Sequence, residues 1–176
     1  MYSNNIKPDY LKLVKINPDG PRNDVTPLFA DFQAFESLVH DLLKPFAEDE
    51  YDYIAGIDAL GFILGTAIAW RTKKGLITIR KTGKLPGPTD SESFTDYSGK
   101  QKAFEIGKEA IKRGSKILVV DEWVETGAQI IAAIKLIEKQ GGIIAGIVSI
   151  CIDENDETRK LRQNYKCLSV WPESGF

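Results

Sequence analysis

Ile117-Leu118-Val119-Val120-Asp121-Glu122-Trp123-Val124-Glu125-Thr126-Gly127-Ala128-Gln129 is the stretch that decides the fold. Its first four residues are apolar without alternation and read as the clearest buried strand of the chain. Two adjacent carboxylates, Asp121 and Glu122, end it. A short turn follows, and Thr126-Gly127 opens an amphipathic helix that runs to Gln140. A helix start presents unpaired backbone N–H groups and the positive end of the helix dipole, which suits a phosphate. Two carboxylates directly beside a phosphate would repel it. They are better explained as acceptors for sugar hydroxyls, with the phosphate one turn further along, so the pattern points to a ribose phosphate. The plainer reading is a strand-to-helix turn with acids near a helix N-terminus, worth ~0.3–1 kcal/mol each. Spacing alone does not choose between the two.

Outward from this stretch, strands and helices alternate. Asp31 to Ala47 carries helical apolar spacing at Phe32, Phe35, Leu38, Val39, Leu42, Leu43 and Phe46. Tyr53 to Ile57 reads as a short buried strand, Gly61 to Arg71 as an apolar helix with one small side, and Leu76 to Ile79 as a second strand. Ala103 to Ile106 reads as a strand and Lys108 to Lys112 as a short helix. Beyond the central helix come a strand at Ile143 to Ile152, a helix at Glu157 to Asn164 and a last strand at Cys167 to Trp171. The alternation predicts an α/β fold with a mainly parallel central sheet flanked by helices and right-handed crossovers. Ligands of such sheets sit at the carboxyl ends of the strands. Three segments end there: Gly56 to Gly61, Arg80 to Lys84 and Asp121 to Gly127.

The stretch from Lys81 to Lys100 is polar, rich in Gly, Pro, Ser and Thr, and keeps no sustained period. Twenty residues are too long for a passive connector in a compact domain, which predicts a functional loop or lid. Its start is basic and its middle, Thr89 to Tyr97, acidic.

The 176 residues predict a single domain. With 43% hydrophobic and 27% charged residues the chain has an ordinary globular balance, which excludes a disordered one. Lys+Arg 23 against Asp+Glu 25 leaves a net charge of −2, which argues against nucleic acid as a partner. Any anion site is therefore local. No apolar run reaches the ~18 residues of a membrane span, and no signal peptide is visible at Met1 to Asp9. A cytoplasmic protein with no membrane partner is expected. Cys151 and Cys167 lack metal-ligand spacing and read as reduced core thiols. His40, the only histidine, falls in a helical stretch with no nucleophile pattern near it, so a histidine-based triad is not expected.

From Arg71 to Lys84 the chain carries Arg71, Lys73, Lys74, Arg80, Lys81 and Lys84 with no acid. A solvated face accounts for Lys73 and Lys74 as readily as an anion site does. Arg80 and Lys81 immediately follow a strand, which aims them at the ligand edge. With this segment in hand, the strand-acid-acid-turn-Thr-Gly stretch resembles the phosphoribosyl pyrophosphate (PRPP) motif of the type I phosphoribosyltransferases. Gly56 to Gly65, followed by Ile79-Arg80-Lys81-Thr82-Gly83-Lys84-Leu85-Pro86-Gly87-Pro88-Thr89, is similar to the adenine phosphoribosyltransferases, as is Asp24-Val25-Thr26-Pro27-Leu28-Phe29. The resemblance runs from about Asp24 to Trp171.

The resemblance implies the type I phosphoribosyltransferase fold, with a small N-terminal hood at residues 1–30 and the lid at 81–100. It implies displacement of pyrophosphate from PRPP by a purine base, with Mg²⁺ bound alongside PRPP, and a homodimer. Asp121 and Glu122 would hold the ribose hydroxyls, and Glu125, Thr126, Gly127, Ala128 and Gln129 would wrap the 5′-phosphate. Asp58, Ala59 and Leu60 would form the pyrophosphate loop, with Arg80, Lys81 and Lys84 supplying positive charge. Asp96-Tyr97 falls near the family's loop acid-Tyr pair, making Asp96 a catalytic candidate, and Arg22 lies close to the base-site arginine. No metal ligand is assigned.

Four positions depart from the pattern. Leu60 stands where an arginine is usual, so one cation is missing. Glu122 is a methylene longer than the usual Asp. Gln129 replaces a Ser or Thr that bonds the 5′-phosphate. Glu125 replaces a small residue, at a place where the 6-oxopurine enzymes carry an acid facing the base, so Glu125 is a candidate general acid/base. It reads equally as a first-turn acid of the helix. The departures also leave a second expectation standing, a non-catalytic PRPP- or nucleotide-binding regulatory module on the same fold.

Overall fold

The computed structural model describes residues 8–18, 23–96 and 98–172. Its centre is β1 (Tyr53–Ile57), which pairs in parallel with β2 (Gly75–Lys81) on one side and β5 (Lys116–Val124) on the other. Beyond β5 lie β6 (Ile143–Ile152) and β7 (Cys167–Ser169), both parallel. Beyond β2 the sheet turns antiparallel through β4 (Gln101–Gly107) and β3 (Thr89–Thr95). The order is β3-β4-β2-β1-β5-β6-β7, so the expected mainly parallel sheet is present with an antiparallel hairpin added at one edge.

The unbroken apolar run of β5 follows from burial on both faces. Ile117 and Val119 pack on one side with Ala55 and Ile57 of β1 and with Ile130, Ala133, Ile134 and Ile137 of α4 (Ala128–Lys139). Leu118 and Val120 pack on the other with Ile54, with Leu38 and Leu42 of α2 (Phe32–Leu43), and with Leu64 and Ile68 of α3 (Leu60–Thr72). A strand covered by helices on both sides has no solvent face to make polar. The N-terminal segment joins the second layer. A 3-10 turn at Asp9–Leu13 and α1 (Thr26–Ala30) bury Leu11, Val14, Val25 and Leu28 there, and Lys15 bridges Asp24.

The helices stop and start where local chemistry dictates. Asp31 caps α2 by accepting the Ala34 N–H at 2.9 Å, which sets its start at Phe32. A last helix, α5 (Asp156–Asn164), opens on a reciprocal box in which Asn155 accepts from Thr158 and Thr158 accepts from Asn155. The central helix begins at Ala128 rather than Thr126, because Gly127 is left-handed at φ 81° and stands as its cap. A Cβ added there would be strained at that φ.

Two expectations need correction. Residues 108–112 form a turn rather than a short helix. Glu109 sits in the left-handed region at φ 64°, which breaks helical winding, and the Ile111 N–H goes to the Gln140 side chain at 3.1 Å. The stretch 81–100 is not irregular throughout, since it contains β3 paired along its length to β4. The hairpin also lies across α4. Lys135 Nζ meets Glu92 at 2.9 Å, Lys139 Nζ meets Asp90 at 3.1 Å, and Gln140 Nε2 donates to Asp90 at 3.0 Å. Acidic residues read from sequence as loop polarity are the face that meets a basic helix.

Candidate active site

Because β1, β2 and β5 run in parallel, their carboxyl ends meet at one edge, and a cleft of about 190 Å³ opens there. It is lined by Asp58, Ala59, Leu60, Lys81, Phe94, Asp96, Lys102, Asp121, Glu122, Trp123 and Gln129. The three predicted segments thus converge on one site, joined by the tip of the β3–β4 hairpin.

The floor is main chain. A Cβ built on Gly61 would fall 2.7 Å from the Val120 carbonyl oxygen, and one on Gly56 would fall 2.8 Å from the Gly61 oxygen. These contacts are shorter than side chains tolerate. They let the first turn of α3 sit flush against β1 and β5, which brings the Asp58–Leu60 loop beside Asp121. Asp121 is buried, and its Oδ1 accepts the Glu122 N–H at 2.9 Å. The strand carries the acid pair as expected, but Asp121 and Glu122 lie inside β5 rather than at its end, since it runs on to Val124.

The basic segment is arranged around two carboxylates. Asp58 has Lys81 Nζ at 3.7 Å and Arg80 Nε at 3.9 Å. Arg80 Nη1 donates to the Lys84 carbonyl at 2.9 Å. The buried Arg80 Nε has no hydrogen-bond partner among the described residues, an unmet donor of the kind a ligand oxygen or water satisfies. Glu105 of β4 is 4% exposed and accepts the backbone N–H groups of Lys84 and Leu85, each at 2.7 Å. The Leu85 N–H above all, with the neighbouring amides and Arg80, holds the Glu105 carboxyl below its ordinary range. Arg80 and Lys84 do not line the cleft. The Lys84 side chain is exposed while its backbone is held by Glu105.

Asp96 anchors the hairpin tip. Its Oδ1 accepts the Ser98 N–H at 2.9 Å, the Ser98 hydroxyl at 2.7 Å and the Lys100 N–H at 3.1 Å. Its Oδ2 meets Lys102 Nζ at 2.5 Å. The Lys102 ammonium first, then Ser98, holds this carboxyl far below the ordinary range, so Asp96 stands in the cleft as an anion.

Beyond β5, Glu125, Thr126, Gly127 and Ala128 do not line the main cleft. The Glu125 carbonyl accepts from Asn155 Nδ2 at 2.8 Å, and the Thr126 hydroxyl accepts the Ala128 N–H at 3.3 Å. Thr126 and Ala128 face a neighbouring groove with Ser93, Thr95 and Lys135. Gln129, in the first turn of α4, does reach the main cleft. Arg22 and Tyr97 lie outside the described residues.

Sequence reasoning missed Lys102, Phe94, Trp123 and Glu105. Asp96-Tyr97-Ser98-Gly99 was a usable signal, because an Asp followed by Ser-Gly favours a turn with the side chain bonded back to the chain. That turn sets Phe94 opposite Lys102. Trp123 is fixed by its Nε1 donating to Asp153 at 3.1 Å and by Trp171 packed edge-on at 5.1 Å. Cys151 is a buried core thiol, whereas Cys167 is half-buried against the core. Desolvation raises both, Cys167 to about 11, which favours the protonated thiol near neutral pH. No helix among the described residues is long and apolar enough to cross a membrane.

Comparison with known proteins agrees with this geometry. Residues 29–174 match the family described as phosphoribosyl transferase domain. An adenine phosphoribosyltransferase of Roseobacter denitrificans is 47% identical over 133 residues, covering 76% of this chain and 74% of the relative. The crystal structure of adenine phosphoribosyltransferase from Thermoanaerobacter pseudethanolicus superposes with a TM-score of 0.83 at 32% identity, covering 90% of this chain and 95% of that one. The Giardia lamblia enzyme complexed with 9-deazaadenine gives 0.85 at 26% identity, covering 92% and 94%. Sheet order, the convergent cleft and these similarities agree: the chain belongs to the phosphoribosyltransferase family of enzymes, on the branch of the adenine phosphoribosyltransferases.

Proposed function

We propose that this protein transfers the phosphoribosyl group of PRPP to adenine, forming the nucleotide and releasing pyrophosphate. The observation that carries this reading is one cleft holding the Asp121–Glu122 pair, the Asp58–Leu60 loop, Lys81 and the first turn of α4. The C1′–O bond to pyrophosphate breaks, and pyrophosphate leaves with the electron pair. A C1′–N bond forms to a ring nitrogen of the base, whose proton passes to the departing pyrophosphate or to solvent. The transition state is rich in positive charge at the sugar. Catalysis therefore rests on stabilising the departing anion and excluding water.

In this reading Asp121 and Glu122 accept the ribose hydroxyls, and residues 125–129 cradle the 5′-phosphate at the start of α4. The Asp58–Leu60 loop, Arg80, Lys81 and Lys84 take the pyrophosphate. Asp58 aligns the two nearest cations, and Glu105 sets the backbone that carries Lys84. Trp123 offers a flat, fixed wall for the base, and Glu125 is the candidate acid/base for a ring N–H. In this reading the stretch 81–100, which holds β3 and Asp96, is the lid, and residues 1–30 are assigned to the hood.

Among the described residues no three metal-ligating side chains cluster. Mg²⁺ is usually held by one or two carboxylates together with substrate phosphates, and the carboxylates lining the cleft fit that mode of binding. Mg²⁺ would supply further neutralisation of the leaving pyrophosphate. A homodimer is supported by α3, which is apolar on most sides yet leaves Ile63 and Trp70 exposed at 41% and 87%. A cytoplasmic setting fits the two free thiols.

The test is to incubate the protein with PRPP, Mg²⁺ and a panel of purine bases and measure pyrophosphate release. Release dependent on adenine supports the assignment. Release with another base alone overturns the substrate, and PRPP binding without release for any base overturns the activity.

A further inference from the structure

We propose that Lys102, on the hairpin strand β4, supplies the pyrophosphate-side cation that Leu60 does not, and that Asp96 holds its ammonium in place for the incoming phosphates. This assignment rests on the PRPP reading above.

The charges lining the cleft make the case. Asp58, Asp96, Asp121 and Glu122 face Lys81 and Lys102 as the only cations lining it among the described residues. Without Lys102 the four carboxylates would face one lining cation, a balance that repels a substrate bearing several phosphate charges. Asp58 is compensated by Lys81 and Arg80, as its distances show. The pyrophosphate loop itself brings no charge at position 60. The remaining cation comes from across the cleft, on an element distant from that loop in sequence.

The Asp96–Lys102 pair is built asymmetrically. Asp96 is 2% exposed, and its Oδ1 is taken up by the Ser98 and Lys100 groups of the turn. Only Oδ2 turns to Lys102, whose side chain is 44% exposed. An ammonium carries three donors. Oδ2 holds it by charge at 2.5 Å without accepting a formed hydrogen bond, so donors remain for phosphate oxygens and substrate adds to the pair without displacing Asp96. The buried carboxylate fixes the position of a side chain that would otherwise sample many rotamers, which lowers the ordering cost of binding. Phe94, directly opposite Lys102 in the hairpin register, walls the same side of the cleft.

A plain structural pair would have Lys102 do no more than neutralise Asp96, and double substitution separates the two roles. Calorimetric titration of PRPP with Mg²⁺ and no base compares wild type, Lys102→Gln, Asp96→Asn with Lys102→Gln, and that double variant with Leu60→Arg. Asn keeps an Oδ1 acceptor for the turn, so the hairpin tip survives. The expected result is a loss of about tenfold or more in affinity for Lys102→Gln and for Asp96→Asn with Lys102→Gln, the effect of one charge-assisted contact. Adding Leu60→Arg restores most of the loss, and Lys102→Arg alone stays within about threefold of wild type. Wild-type affinity in the Asp96→Asn, Lys102→Gln variant overturns the assignment while leaving the PRPP reading intact. A wild type that binds no PRPP overturns that reading, and this one with it.

Discussion

Glu105 and Lys84 are joined by a 2.7 Å bond from the Lys84 backbone N–H to Glu105 Oε1, and the same oxygen takes the Leu85 N–H. A buried carboxylate two strands from the sheet centre thereby shapes the turn that follows Lys81 and carries the exposed Lys84 side chain. Arg80, opposite Glu105 in register, closes the turn from the other end through the Lys84 carbonyl.

Glu105→Ala is expected to raise the KM for PRPP by roughly ten- to hundredfold, the usual worth of bonds to a charged acceptor. The KM for the base should stay nearly unchanged. Glu105→Gln, which keeps an acceptor oxygen, should recover part of the loss. Steady-state kinetics with each substrate varied separately checks this, and equal increases in both KM values would count against a local role.

Trp123→Leu is expected to weaken base binding about two- to tenfold, since an oriented aromatic contact contributes ~0.5–1.5 kcal/mol beyond its area. PRPP affinity should hold. Competition with an unreactive base analogue gives the number. An unchanged inhibition constant would remove Trp123 from the base side.

Glu125→Ala separates chemistry from anchoring. A general acid/base at the nucleobase predicts a fall in turnover of roughly 10²–10⁴-fold with PRPP affinity preserved. The Glu125 carbonyl keeps its bond to Asn155 in the variant, so the loop stays tethered. Turnover within about threefold of wild type would make Glu125 a helix-start acid only.

Acid should loosen the hairpin before the core. Asp90, Asp96 and Glu105 all sit on β3, its turn or β4, and all are held below the ordinary carboxylate range. The largest single causes are Gln140 for Asp90, Lys102 for Asp96 and the Leu85 N–H for Glu105. A carboxyl lowered on folding contributes stability that is present above its unfolded value and lost as pH falls toward the folded one. Amide exchange across residues 89–107 should therefore accelerate below about pH 4, after correction for intrinsic rates, while β1 and β5 stay protected. Parallel loss of protection in all strands would contradict this order.

Trp70→Glu is expected to shift a dimer toward monomer. Light scattering over a concentration series reads the change. A wild type that is monomeric throughout would refute the dimer, and a variant that remains dimeric would place the interface elsewhere.

The layers were legible because parallel strands buried on both faces write themselves as apolar runs. Ile117 to Val120 and Tyr53 to Ile57 read as buried strands on that ground, and Asp121, Glu122, Asp58, Lys81 and Gln129 fall at the edge that such a topology predicts. The hairpin was harder to read. Thr89 to Thr95 has only one buried residue, Phe94, so it carries no apolar alternation, and its pairing is fixed by the partner strand and by Lys135 and Lys139. Lys102 and Glu105 were invisible for the same reason, since their roles depend on contacts across a hairpin whose register the sequence left open. Glu109 shows the reverse failure: a composition suited to a helix was overruled by one left-handed residue.

The close approach of Gly56 and Gly61 to neighbouring carbonyls has a consequence for how this enzyme can change. Where a site's base is built from backbone in contact, substitution cannot tune it by degrees, because even a methyl group forces α3 off the sheet. Gly61→Ala should cost the whole cleft rather than reshape it. Innovation is confined to the rim, where Leu60, Trp123, Glu125 and Gln129 stand on a fixed foundation. New preferences can be tried there one side chain at a time, with the spacing between the ribose end and the pyrophosphate end left untouched.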